Sequence, residues 1–230
     1  SRSTHSGADP AHGAAPGASL PSSKNLFQPE IEETEMRKLK LQVQMSVDGY
    51  ICGPNGEMGF LARDWDDGLI QYVTALTESM DCIVLGRNLA QGFIPHWANV
   101  AADPNHPEHS AGIKFSETPK VVFSKTLEKS AWANTSLAKG DLTAEINHLK
   151  QQPGKDIIAY GGATFVANLV RHNLIDEYHL FINPAAIGSG RSIFTTPERQ
   201  QNLALVKATA FACGIVVLNY EPNRSEIRTS

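Results

Sequence analysis

The chain has 230 residues, 41% of them hydrophobic and 19% charged, with a formal net charge of −4. This is the composition of a globular protein long enough to bury a core without a disulfide framework or a structural metal. Its mild acidity and mixed charges exclude a protein whose affinity comes from neutralising nucleic-acid phosphates, and no run reaches the roughly 18 apolar residues of a membrane span.

Residues 1–35 are rich in Ser, Ala, Gly, Pro and His and carry no hydrophobic period, so they read as a disordered leader, tag or linker, or else as a tail docking through Leu26, Phe27 and Ile31. The patterned body is expected over 36–222 as one domain, with 223–230 as a C-terminal tail. The N-terminus has no apolar secretory core. Cys52, Cys82 and Cys213 are widely spaced and odd in number. They suit buried free thiols in a cytoplasmic protein better than a zinc site or a disulfide framework.

Leu39, Leu41, Val43 and Met45 alternate with Lys40, Gln42 and Gln44, which predicts a first strand with one buried face. Gly53-Pro54-Asn55-Gly56 then marks a loop. Leu69, Ile70, Val73, Leu76 and Met80 recur at helical spacing behind Asp66 and Asp67, which suit a helix start. Cys82-Ile83-Val84-Leu85 and Val121-Val122-Phe123 read as strands covered on both faces. Between them, residues 88–119 hold Pro95, Pro104 and Pro107 with His96, His106 and His109, and read as a long polar insertion. The histidines fit no metal-ligand spacing, so no metal site is expected.

A short strand follows near Thr135-Ser136-Leu137, then a helix with Leu142, Ile146 and Leu149, a buried strand at Ile157–Tyr160 and a helix with Val166, Leu169 and Val170. Another strand is expected from Tyr178 to Ile182. The segments Leu203–Ala212 and Ile215–Tyr220, with Gly214 between them, suit an antiparallel hairpin. Strands alternating with helices and closing in a hairpin define an α/β domain with a mixed sheet.

Three strand ends carry small or cationic residues: Leu85-Gly86-Arg87, Phe123-Ser124-Lys125 and Tyr160-Gly161-Gly162-Ala163-Thr164. Ligands of open α/β sheets bind beyond the carboxyl ends of parallel strands, so these groups suit one anion-binding crevice. Gly-x-Gly-x-x-Gly and the P-loop motif are both absent, which excludes a standard Rossmann domain and a P-loop NTPase.

In order along the chain, Ser46-Val47-Asp48-Gly49-Tyr50-Ile51, Leu85-Gly86-Arg87, Val122-Phe123-Ser124-Lys125-Thr126-Leu127, Gly161-Gly162-Ala163, Leu174-Ile175-Asp176-Glu177-Tyr178 and Pro184–Gly190 form a set. With it, the chain from about Arg37 to Glu221 resembles the dihydrofolate reductase-like superfamily. The resemblance is closest to the branch containing the reductase domain of bifunctional riboflavin-biosynthesis enzymes. It implies a mainly parallel mixed sheet flanked by helices with a C-terminal antiparallel hairpin, NADPH as hydride donor, and a homodimer. The implied substrate is a small heterocycle of the pterin or riboflavin-pathway pyrimidine type.

By the same resemblance, Gly86, Arg87 and Asn88 match the first cofactor turn, with Asn88 in place of the usual Thr. Ser124 and Lys125 match the turn near the adenosine 2′-phosphate, and Gly161, Gly162, Ala163 and Thr164 the pyrophosphate turn. Asp48 opens the loop that covers the nicotinamide and is a catalytic candidate. Asp67 is the candidate for the substrate-orienting carboxylate, although Asp66 or Asp67 also suits a simple helix cap. Asn183 matches a ring-binding position, or else forms a turn before Pro184. Trp65 and Trp97 suit either an apolar substrate pocket or plain core. No Arg matches the one that binds a folate glutamate tail, whereas Arg63 or Arg191 suits a ribose phosphate. A nucleotide-binding protein of the same fold, acting through partners without turnover, is the alternative reading.

Overall fold

The computed structural model describes residues 36–195 and 200–223. The chain divides into two units, 1–33 and 34–230, and the described residues all belong to the second. The expected leader at 1–35 lies outside the described residues, as does all but Asn223 of the expected tail.

The first strand, β1 (Leu39–Ser46), lies at the centre of an eight-stranded sheet. Around it are α1 (Asp67–Glu78), β2 (Met80–Gly86), α2 (Arg87–Ala102), α3 (His109–Glu117), β3 (Lys120–Phe123), β4 (Thr135–Ala138), α4 (Leu142–Gln151), β5 (Asp156–Tyr160), α5 (Ala163–Arg171), β6 (Glu177–Asn183), β7 (Leu203–Ala210) and β8 (Val216–Pro222). The sheet order is β4-β3-β2-β5-β1-β6-β8-β7. The pairings from β4 to β6 are parallel, and β6-β8 and β8-β7 are antiparallel. This is the expected mixed sheet with its terminal hairpin, which turns at Gly214, φ +89°.

Helices cover both faces, so β1 is buried on both and not on one, as its alternation predicted. Leu41, Val43 and Ile157 pack with Ile146 of α4 and Leu169 of α5. On the other face Ile83, Leu85 and Ile158 pack with Leu76 of α1, Ile94 of α2 and Phe115 of α3. Gln42 and Gln44 face this second layer and the cleft described below, not bulk water.

The expected polar insertion is instead a helical hairpin. Leu89, Phe93, Trp97 and Val100 keep helical spacing through α2, and Pro95 sits inside that helix, at the cost of one intrahelical hydrogen bond. Helix α3 crosses at Gly112, where a Cβ atom would stand 2.6 Å from the Ala101 amide nitrogen. Only glycine permits that approach.

Helix α1 starts where the acidic pair predicted. Asp66 is the cap: its side chain accepts from the amides of Leu69 (2.9 Å) and Cys213 (2.9 Å), so it also ties α1 to the turn of the hairpin. These donors hold the Asp66 carboxyl below the usual carboxylate range. Two residues assigned to the face of this helix depart from it: Met80 belongs to β2, and Ile70 is exposed. The three cysteines are free, and only Cys82 is buried.

Candidate functional site

A cleft of about 1250 Å³ opens at the carboxyl ends of β1, β2, β3 and β5. All nine residues expected at the cofactor turns line it: Gly86, Arg87, Asn88, Ser124, Lys125, Gly161, Gly162, Ala163 and Thr164. The sheet order brings them together, because β3, β2 and β5 are consecutive neighbours.

The turn after β5 presents the N-terminus of α5 to the cleft. Gly162 has φ +94°, a conformation L side chains rarely adopt. The first intrahelical bond of α5 runs from the Val166 amide to Gly162 O, 3.0 Å. The amides of Ala163, Thr164 and Phe165 thus have no partner within the helix and carry its positive dipole end. A side chain at Gly161 would meet nothing within 4 Å, so the backbone is open to an approaching ligand. Gly86 is small for another reason. A Cβ there would lie 2.7 Å from that of Phe165, so glycine lets the end of β2 pack on α5.

The neighbouring turn supplies cations. Ser124 Oγ accepts from the amides of Thr126 (3.2 Å) and Leu127 (3.0 Å), which fixes the chain after β3 and leaves Lys125 exposed. Arg87 donates through Nη1 to Thr126 Oγ1, 2.8 Å, joining the start of α2 to the same turn. The lining carboxylate Asp141 is engaged as the cap of α4, accepting from the Ala144 amide at 3.0 Å. Two guanidinium or ammonium groups beside unpartnered amides suit a ligand carrying several phosphates.

The other half of the cleft is apolar and aromatic. Trp65, Phe93, Trp97 and Tyr160 line it together with Gln42 and Gln44 of β1. Phe93 stacks on Tyr160 with ring centres 5.2 Å apart, and Trp97 lies 4.4 Å from Phe115. The indole of Trp65 is held by a hydrogen bond to Ala62 O, 3.0 Å. The walls suit a flat ring.

Asp67, Asp48 and Asn183 are not among the residues that line this cleft. Asp67 is exposed in the first turn of α1 and is not among the lining residues. Asp48 is also exposed and accepts from the amides of Ile187 (3.1 Å) and Gly188 (2.7 Å), so it clamps two loops. Its carboxyl is held below the usual range, first by Ser46 and then by these amides. Asn183 is fully buried. Its Oδ1 accepts from the Ala62 amide (2.9 Å), and its Nδ2 donates to Gln44 Oε1 (2.9 Å), Phe181 O and Met45 O. It holds the loop that carries Trp65.

Arg191 lines the cleft and donates to Pro54 O at 3.1 Å, whereas Arg63 does not line it. His96 reaches the cleft, but His106 and His109 do not. No group of three or more His, Cys, Asp or Glu side chains among the described residues is arranged to hold a metal ion. No helix among them is long and apolar enough to cross a membrane. Gln42, Gln44, Phe93 and Tyr160 were not predicted as site residues, since an alternating strand assigns Gln42 and Gln44 to solvent.

Residues 37–217 match the sequence profile described as the RibD C-terminal domain, and the chain belongs to that family. It is 31% identical over 193 residues to the uncharacterized protein YyaP of Bacillus subtilis (strain 168), covering 82% of this chain and 97% of the relative. The uncharacterized protein YwjB of the same organism is 23% identical over 169 residues, covering 74% and 89%.

Among solved structures, a putative riboflavin biosynthesis protein from Shewanella sp. PV-4 superposes with a TM-score of 0.61 at 22% identity, covering 82% of this chain and all of that one. The Thermotoga maritima diaminohydroxyphosphoribosylaminopyrimidine deaminase/5-amino-6-(5-phosphoribosylamino)uracil reductase gives 0.58 at 15% identity. There the match covers 81% of this chain and 57% of that one. Both share the fold.

Proposed function

We propose that this chain is an NADPH-dependent reductase acting on a C=N bond of a small flat heterocycle. One observation carries the reading: the three glycine and cationic turns and the aromatic pocket line a single cleft. NADPH, when bound, supplies a hydride from C4 of its nicotinamide. The amides after Gly161 and Gly162 hold the pyrophosphate, and Arg87, Ser124 and Lys125 meet the 2′-phosphate.

Trp65, Phe93 and Tyr160 hold the heterocycle flat and exclude water around the acceptor carbon. Asp141, the only carboxylate in the described lining, is engaged as a cap, so no carboxylate is assigned to the protonation of the acceptor nitrogen. Neither Asp67 nor Asp48 enters the chemistry in this reading. Trp65 lines the pocket and does not fill it, which favours turnover over a binding-only role.

The test is a titration with NADPH and separately with NADH, followed by melting temperature and by the fluorescence of Trp65 and Trp97. NADPH is expected to raise stability by about 2.7 kcal/mol at a hundredfold excess over Kd, and NADH by less. No response to either nucleotide overturns the reading. A homodimer belongs to the same proposal. The edge strand β7 exposes Leu205 (55%) and Val206 (57%), and an open strand edge offers pairing to a second copy. Sedimentation at micromolar concentration is expected to give twice the chain mass, and a monomer there removes this part.

A further inference from the structure

We propose that Gln42 and Tyr160 are specificity-determining residues that pair with a hydrogen-bonding edge of the heterocycle, one that sets an N–H donor beside a carbonyl acceptor. The inference rests on the reductase reading above and assigns the part of the cleft that reads the ring.

The two residues are Cα partners across the parallel strands β1 and β5. Directly opposed residues of neighbouring strands present their side chains on the same face, and both residues line the cleft. They are only 8% and 9% exposed. Yet Gln42 Oε1 and Tyr160 Oη have no hydrogen-bond partner among the described residues. The contrast with their neighbour Gln44 is direct, since its Oε1 accepts from Asn183.

Buried polar atoms are nearly always paired, and an unmade bond carries the full desolvation penalty. Two such atoms, on residues that are opposed across one pair of strands and both line one cleft, mark a place where an occupant completes the pairing. Burial pushes the Tyr160 phenol far above its ordinary pKa, so it stays a neutral donor. A carboxamide offers an acceptor and a donor side by side, which fits an amide-like ring edge whichever way the amide is turned. Phe93, stacked on Tyr160, supplies the flat wall.

The test uses protein saturated with NADP⁺ and two probes, 5,6-diaminouracil and 5,6-diamino-1,3-dimethyluracil, whose ring N–H groups are methylated. Calorimetry is expected to show the first bound about tenfold or more tighter than the second. Gln42→Leu and Tyr160→Phe should each weaken 5,6-diaminouracil by about fivefold or more and narrow the gap between the probes. NADP⁺ affinity should hold, and melting temperature should hold or rise, because each substitution removes an unpaired buried atom. A merely structural role predicts the opposite, a lower melting temperature with unchanged probe affinity.

Equal binding of both probes, wild-type affinity in both variants, or no binding of 5,6-diaminouracil to NADP⁺-loaded protein overturns the assignment. Failure to bind NADP⁺ is read in its own titration, and it removes the reductase reading together with this one.

Discussion

His179 lies 2.7 Å from Glu177, Nε2 to Oε1, and its Nδ1 lies 2.6 Å from the hydroxyl of Tyr72. With Nε2–H donated to the carboxylate, Nδ1 accepts from the phenol, so one imidazole ties the start of β6 to α1. Asn219 of β8 donates to the same carboxylate at 3.2 Å. A polar chain thus crosses three elements on the side of the sheet where Phe181 and Leu69 pack.

The His179 hydrogen bond, helped by Lys40 and Lys38, lowers the Glu177 carboxyl from 4.5 to about 2. Its folded pKa lies below the unfolded one, so the unfolded chain binds the extra proton between them and stability rises with pH there. The contribution is complete above about pH 5 and is lost as pH falls toward about 2. Allowing for solvent screening, it amounts to about 1–2 kcal/mol. Urea titrations between neutral and acid pH should show this loss, and Glu177→Gln should flatten it. A variant with the wild-type slope would assign acid sensitivity to other carboxylates.

Asn183→Leu should cost about 2–4 kcal/mol, because it strands the Ala62 amide and removes the support of the loop bearing Trp65. Chemical denaturation measures the loss, and tryptophan emission should shift red in the folded variant. If Asn183 instead contacted the ring directly, probe affinity would fall with stability unchanged.

Gly112→Val forces α3 from α2 at a place with no room for a side chain. A loss of about 1–3 kcal/mol is expected. Trp97 and Phe115 lie across that contact, so binding of the heterocycle should suffer while NADPH affinity stays within a factor of about two. A thermal melt paired with the two titrations checks this.

Lys125→Ala and Arg87→Ala should each weaken NADPH by about tenfold, roughly 1.4 kcal/mol, and leave NADH nearly unchanged. Equal effects on both nucleotides would move these cations from the 2′-phosphate to the pyrophosphate.

The parallel core and hairpin were legible because Cys82–Leu85, Val121–Phe123 and Ile157–Tyr160 are short apolar runs ending in turn residues. The turns that line the cleft were legible for the same reason, since glycine and cation stand directly after those runs. Helices α2 and α3 were not, because Pro95 and the histidines masked the spacing of Leu89, Phe93, Trp97 and Val100.

The aromatic side of the cleft was hidden by a different ambiguity. Alternation shows which face of β1 is apolar, and says nothing of whether Gln42 and Gln44 meet water or a cleft. Asn183 reads as a ring-binding position, or else a turn before Pro184, because its partners, Ala62 and Gln44, are far away in sequence. Asp66 and Asp67 are adjacent, and only the backbone geometry selects Asp66 as the cap.

The glycine and cationic turns hang from three adjacent strands whose spacing is fixed by the sheet ladder at about 4.8 Å per step. Much of the opposing wall comes from a helical hairpin and a long loop that share no ladder with them, while Gln42, Gln44 and Tyr160 stay on the sheet. One bank of the cleft is therefore a fixed ruler and the other a replaceable jaw. Relatives that keep the ruler and recast the jaw would reshape one end of the cleft while leaving the other as it stands.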